Sequence, residues 1–335
     1  MKSLALITCL AAILVSGCRP QTEPAAAGKA SQMTTDPLPS WNDGKVKSAI
    51  IDYVHKVTDS SSGSYIPVAD RIASFDNDGT LWAEKPLVQE LFAFAQAREM
   101  VTKDGRLAKK QPFKAVIEGD KEYFHKGGEK AFVQLVDATH TGMTEVEFEN
   151  AVKNFFTSAT YPPRNVPIWQ ITYQPQIELL NYLRANGFKT YICSGGTVEF
   201  VRGISMDLYG IPKEQVVGTT FNYKYVDSSR SIMRLPGLAH FNDKEGKPVT
   251  LQRYLGRPPV FACGNEGGEG DVEMLQFSQS SKYPSLQLLV NHDDSTREYY
   301  YQEKTNWSLD EAAKNNWQVI SIKHDWKNVY RAEKR

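Results

Sequence analysis

Three short apolar runs that stop abruptly on polar residues constrain this chain more than any other feature. They read IASF before DNDGT (residues 72–80), TYIC before SGGT (190–197) and VFAC before GNEGGEGD (260–271). Apolar runs of this length bounded by glycine match buried strands, and the segments between them carry helical spacing. Helices are expected over residues 175–186, stopped by Gly187; through Phe200, Val201, Ile204 and Leu208; over 249–255; and over 272–277. Strands are expected at 71–75, 188–193, 259–263, 286–291 and 318–322, while 219–225 and 231–235 read as a hairpin or extended flap. Strand–helix alternation predicts an α/β fold with a parallel sheet. An earlier helix is expected over 45–58, where Val46, Ile50 and Tyr53 share a face. Residues 85–169 read as mainly helical, with a capping box at Thr144-Glu145-Val146-Glu147 and a break at YPPRNVP, 161–167. They are expected to form a cap inserted into a core of residues 43–84 and 170–335.

The amino terminus reads as targeting rather than fold. Lys2 precedes an apolar stretch over 4–15 that is short for a bilayer span, and the stretch ends in LVSGC. That ending looks like a bacterial lipobox, so residues 1–17 are expected to be a signal peptide and Cys18 the lipidated residue. The alternative is an ordinary secretory signal in which the cysteine is incidental. Residues 18–42, rich in Pro, Ala, Ser and Thr, read as a flexible tether. The protein is then expected in the cell envelope, facing the periplasm, with membrane contact through the lipid alone. Lys plus Arg and Asp plus Glu both number 39, which argues against a nucleic-acid partner. Cys193 and Cys263 lie in apolar runs and are expected as buried free thiols. The absence of Cys-x-x-Cys and of ligand spacing among the six histidines argues against zinc.

In open parallel sheets the working residues lie beyond the carboxyl ends of the strands, and here all three ends are chemically distinctive. Asp76 and Asp78 crowd like charges together, which is costly unless a cation or a reaction uses them. Mg²⁺ suits such hard oxygen ligands. A carboxylate can also attack phosphorus, and a second can protonate the leaving oxygen and later activate water. Ser194, Gly195, Gly196 and Thr197 before a helix offer a hydroxyl and free backbone N–H groups as an anion seat; a plain loop with an N-cap reads the same way. Glu266, Glu269 and Asp271 repel phosphate but suit a nearby metal ion.

Taken in order, FDNDGT, CSGGT, a lysine in NDKEGKP and CGNEGGEGDVEML resemble the four motifs of the haloacid dehalogenase superfamily, and most of all its phosphoserine-phosphatase-like branch. The resemblance covers residues 71 to about 325. It implies a Rossmann-like three-layer core with a helical cap between the first two motifs. It implies Asp76 as nucleophile and Mg²⁺ ligand, and Asp78 as general acid/base with its carbonyl on the metal. By the same resemblance Ser194 holds the phosphoryl group and a lysine neutralises charge. Lys247 stands in the expected place, with Lys244 and Lys213 as alternatives. Relatives commonly carry aspartate where this chain has Asn265, so the fourth-motif ligand is Asn265 itself, or Glu269 or Asp271 directly or through water.

Glu84 could meet a cationic part of the substrate or be a solvated charge. Trp82 reads as packing between core and cap, NHDD at 291–294 as a turn with a helix cap, and EYYYQ at 298–302 as an amphipathic segment. The expected function is a Mg²⁺-dependent phosphomonoesterase acting on a small phosphorylated metabolite through an aspartyl-phosphate. Phosphotransfer to an alcohol and a catalytically weak lipid-anchored binding protein are the alternatives.

Overall fold

A computed structural model describes residues 36–332 apart from 268 and 269. The signal segment, Cys18, most of the expected tether and Glu269 lie outside the described residues. Where description begins, the chain is already packed. Leu38 and Trp41 are fully buried, the Trp41 indole donates to Pro175 O at 3.0 Å, and Lys47 bridges Asp36 and Asp43 at 2.6 and 2.9 Å. The expected tether through residue 42 is therefore too long, because its last residues carry two apolar side chains that the core buries.

In chain order the elements are α1 (Lys45–Thr58), β1 (Ile72–Phe75), α2 (Val88–Lys103), α3 (Phe113–Glu118), α4 (Lys121–His140), α5 (Glu145–Ser158), β2 (Thr160–Tyr161) and β3 (Val166–Pro167). There follow α6 (Gln174–Ala185), β4 (Lys189–Thr197), α7 (Val198–Tyr209), β5 (Val216–Val226), β6 (Ser231–His240), α8 (Gly246–Leu255), β7 (Phe261–Asn265) and α9 (Asp271–Gln279). The chain closes with β8 (Leu286–Asn291), α10 (Trp307–Lys314), β9 (Gln318–Ser321) and α11 (Ile322–Asp325). Seven strands form one sheet in the order β6-β5-β4-β1-β7-β8-β9, parallel throughout except for β6 against β5. This is an α/β fold with a mostly parallel central sheet. β1 sits in the middle and is buried at every position. The chain first builds outward from β1 through β4 and β5, then crosses to the other side for β7. That switch point is where open sheets of this kind leave a crevice.

The expected hairpin is present but longer, and its first strand belongs to the main sheet through pairing with β4. Helices α2–α5 occupy the interval between β1 and β4, and Thr144 closes the capping box at the start of α5. The break at 161–167 is a turn between the two short strands β2 and β3. The inserted helices carry a small apolar cluster of their own around Phe113, Val116, Phe124 and Leu135. α2 divides its face, giving Ala93 and Ala97 to that cluster but Val88 and Phe92 to the main core. α5 likewise sends Phe148 and Val152 into the main core. The inserted segment is thus rooted in the core through two helices. Among the described residues, no helix is long and apolar enough to cross a membrane.

Candidate active site

The ladder of the sheet delivers Asp76 to the crevice, since its N–H donates to Cys263 O on β7 at 2.9 Å. From the other side, α8 brings Lys247, whose buried ammonium lies 2.8 Å from Asp76 Oδ1 and also bonds Asp271 Oδ1. Asp271 in turn accepts the Asn265 N–H on Oδ2 at 2.8 Å. The first, third and fourth sequence signatures therefore meet through one ion-paired triad, Asp76–Lys247–Asp271. Burial pushes the Asp76 carboxyl well above its ordinary range, and the neighbouring Asp271 adds to this while Lys247 opposes it. Burial works against the Lys247 ammonium, but Asp271 and Asp76 outweigh it and hold the lysine protonated. Of the other two candidate lysines, Lys213 pairs with Glu149 at 2.6 Å on the surface, and Lys244 lies in the turn before α8.

The turn after β1 is wound by Asn77, whose carbonyl accepts the N–H groups of Thr80, Leu81 and Trp82. It needs glycine at 79. There φ is +74°, and a Cβ would come within 2.3 Å of Asn265 Nδ2 and 2.7 Å of the Tyr301 hydroxyl. Asp78 is held by the Trp82 indole, which donates to its Oδ1 at 2.8 Å. Burial raises the Asp78 carboxyl, against the effect of that hydrogen bond. Trp82 does pack between the two regions, with its ring stacked on Phe156 of α5 at 5.9 Å, but it also orients an acid.

The second signature departs from expectation. β4 does not stop at Cys193 but runs through Thr197, with its register against β5 shifting between Ser194 and Thr197. Two of the N–H groups expected to be free are occupied. The Ser194 hydroxyl accepts from Gly196 N–H at 3.0 Å, and Gln89 Oε1 of α2 accepts from Thr197 N–H at 3.0 Å. A buried brace holds the strand end from behind: Asn242 Nδ2 donates to Ser194 O at 2.8 Å, and the Thr219 hydroxyl donates to Gly195 O at 2.6 Å.

The Asn265 amide nitrogen faces Glu84 Oε2, Glu266 O and the Tyr301 hydroxyl at 3.4, 3.1 and 3.3 Å. Three acceptors on that side turn Oδ1 the other way, where it accepts from the Thr80 hydroxyl at 3.3 Å. Glu84 is not presented to substrate, because Lys85 holds Oε1 at 2.8 Å while Tyr301 and Asn265 hold Oε2. Asp271, expected as a possible metal ligand, spends both oxygens on Lys247 and the Asn265 N–H and stands as the partner of the lysine. Behind the site, His292 stacks on Tyr301 at 4.2 Å and pairs with Glu298, to which Tyr173 also donates. A separate groove of about 1490 Å³ runs along α6 beside Lys85, Tyr161 and Arg331 and touches none of the strand-end carboxylates.

The residues present fit a hard divalent cation. Asp76 and Asp271 share the ammonium of Lys247, and Asp78 adds a third largely buried carboxyl beside Asp76, so a bound cation would relieve the crowding of like charges. Lys247 holds Asp76 through Oδ1. Among the described residues no cluster of three or more His, Cys, Asp or Glu is arranged to hold a metal ion. The candidate set consists instead of one carboxylate, one backbone carbonyl and one amide oxygen.

Sequence reasoning missed Gln89, Asn242 and Tyr301. Gln89 carries no local signature, since it reaches the site from a helix distant in the chain, and Asn242 lies in the quoted NDKEGKP stretch, where only the lysines drew notice. Tyr301 was legible only as part of an aromatic run. The cysteines are as expected: both are free and buried, and burial raises the Cys193 thiol to about 12. NHDD is a turn in which Asp294 accepts from the N–H groups of Thr296 and Arg297.

A family model described as haloacid dehalogenase-like hydrolase matches residues 73–276, more than half of the chain, and the chain belongs to that family. No curated protein matches it in sequence. Similar solved structures include a conserved protein of unknown function from Anaerococcus prevotii DSM 20548, at 14% identity and TM-score 0.58 over 88% of this chain and 98% of that one. A phosphoserine phosphohydrolase-like protein from Francisella tularensis SCHU S4 follows at 16% identity and TM-score 0.41, covering 77% of this chain and 95% of that one. A probable phosphoserine phosphatase from Vibrio cholerae has 14% identity and TM-score 0.36, covering 74% and 65%. At 14% identity and TM-score 0.58, the likeness to the Anaerococcus prevotii protein is one of fold.

Proposed function

We propose that the protein is a Mg²⁺-dependent phosphomonoesterase that hydrolyses a small phosphorylated metabolite through a phosphoryl group carried on Asp76. The observation that supports this most is the Asp76–Lys247–Asp271 triad beside an Asp78 carboxyl oriented by Trp82. In the first step the Asp76 carboxylate forms a bond to phosphorus as the ester P–O bond breaks, and Asp78 gives its proton to the departing oxygen. In the second, Asp78 takes a proton from water, whose oxygen attacks phosphorus and releases inorganic phosphate from Asp76. Burial of Asp78 favours the protonated form that the first step requires. Lys247 holds Asp76 in line and offsets the charge arriving with the substrate. Asp76, the Asp78 backbone carbonyl and Asn265 would hold Mg²⁺, which when bound supplies charge neutralisation for the phosphoryl oxygens. Residues 85–169 form the cap over this site. The protein works in the cell envelope, tethered through a lipid on Cys18; loss of membrane association in Cys18→Ser tests that placement.

The experiment is a phosphomonoester panel on the chain from residue 19 onward, assayed with Mg²⁺ and with EDTA. Metal-dependent release of phosphate that Asp76→Asn abolishes is expected. Phosphate appearing on added alcohols instead of in water would assign phosphotransfer, and no turnover of any ester would favour a binding protein.

A further inference from the structure

We propose that Gln89 of α2 is the internal occupant of the phosphoryl seat, and that a bound phosphomonoester displaces its carboxamide from Thr197. The inference rests on the phosphatase reading and adds to it the residue that sets affinity for the tetrahedral oxyanion. Gln89 grips Thr197 at two points, accepting its N–H on Oε1 at 3.0 Å and donating from Nε2 to its hydroxyl. Thr197 stands directly before the twelve-residue helix α7. A Cβ built on Gly196 locates the spot: it would lie 2.7 Å from Gln89 Oε1, 3.2 Å from Ser194 Oγ and 3.9 Å from Asp78 Oδ2. A carboxamide oxygen, the second-motif hydroxyl and the acid carboxylate therefore all lie within 4 Å of one point in the crevice, in the region an ester oxygen must enter for Asp78 to protonate it.

Exchange is favourable on chemical grounds. Thr197 N–H gives Gln89 a neutral hydrogen bond, whereas a phosphoryl oxygen accepts through full negative charge and binds about twice as strongly. Displacement needs only a side-chain rotation. One turn further along α2, Phe92 packs on Phe200 of α7 at 5.3 Å, so the helix stays rooted while Gln89 swings. Thr197 Oγ1, released at the same time, becomes available to the incoming anion.

The test compares wild type, Gln89→Ala and Gln89→Glu in the chain from residue 19 onward with Mg²⁺ present. It reads the binding of inorganic phosphate and orthovanadate by calorimetry, with thermal melts to confirm folding. Removing the competitor is expected to tighten both anions by about 3- to 10-fold in Gln89→Ala, the range of a net neutral hydrogen bond. The carboxylate of Gln89→Glu keeps the Thr197 contact, repels the anion and is expected to weaken binding at least tenfold. Unchanged or weaker anion binding in folded Gln89→Ala would overturn the proposal. Because binding is read without turnover, that failure is separable from failure of the phosphatase reading, which shows as absent wild-type hydrolysis.

Discussion

Trp82→Phe isolates the orienting hydrogen bond from the packing around it. Phenylalanine keeps an aromatic ring against Phe156 but deletes the indole N–H that lies 2.8 Å from Asp78 Oδ1. A hydrogen bond to a charged acceptor contributes about 1.5–3 kcal/mol. If all of it serves to hold Asp78 on the leaving oxygen, the loss corresponds to about 10- to 100-fold in rate. The leaving group sharpens the test. An alkyl phosphate needs Asp78 to protonate the departing oxygen, whereas p-nitrophenolate departs as a stable anion. Steady-state kinetics should therefore show kcat falling by about 10- to 100-fold for an alkyl phosphate and by only a fewfold for p-nitrophenyl phosphate. Equal losses on both substrates would refute the reasoning, because Trp82 would then be serving the fold and not the acid.

Two other perturbations follow from the same geometry. Lys247→Met strands two buried carboxylates and should cost about 3–5 kcal/mol in urea melts. Adding Asp271→Asn should return part of that loss, and strictly additive effects would show that the two side chains do not interact. Gly79→Ala forces a Cβ into a left-handed residue and onto the Asn265 amide, so phosphatase activity should fall at least tenfold while the far-ultraviolet dichroism stays that of wild type. An active alanine variant would mean that Asn265 is free to move away without consequence.

The parts of this molecule legible in its sequence are those whose cause is local. Residues 72–75 are apolar apart from Ser74 and are bounded, so β1 and the placement of Asp76 beyond its end could be read directly. The capping box at Thr144 was equally readable, because its partners lie three residues apart. β4 was read too short because Ser-Gly-Gly has no strand propensity, and pairing with β5 extends it regardless. Among the three candidate lysines, Lys247 stood in the place the resemblance implies, and what only the tertiary structure adds is its contact, an ammonium that reaches Asp76 across 171 positions of chain. Gln89 and Tyr301 were invisible for the same reason: each works through a partner more than a hundred residues away. Glu84 shows the converse error, a carboxylate assigned outward by its spacing and turned inward by Tyr301 and Lys85.

The central claim is that phosphorus bonds to Asp76. Quenching the protein during turnover of a phosphomonoester and reducing with borohydride converts an aspartyl-phosphate to homoserine, which peptide mass spectrometry locates. The account predicts that conversion at position 76 and nowhere else, dependent on substrate and lost in Asp76→Asn. Conversion at a different carboxylate, or steady hydrolysis with residue 76 unmodified, would contradict it.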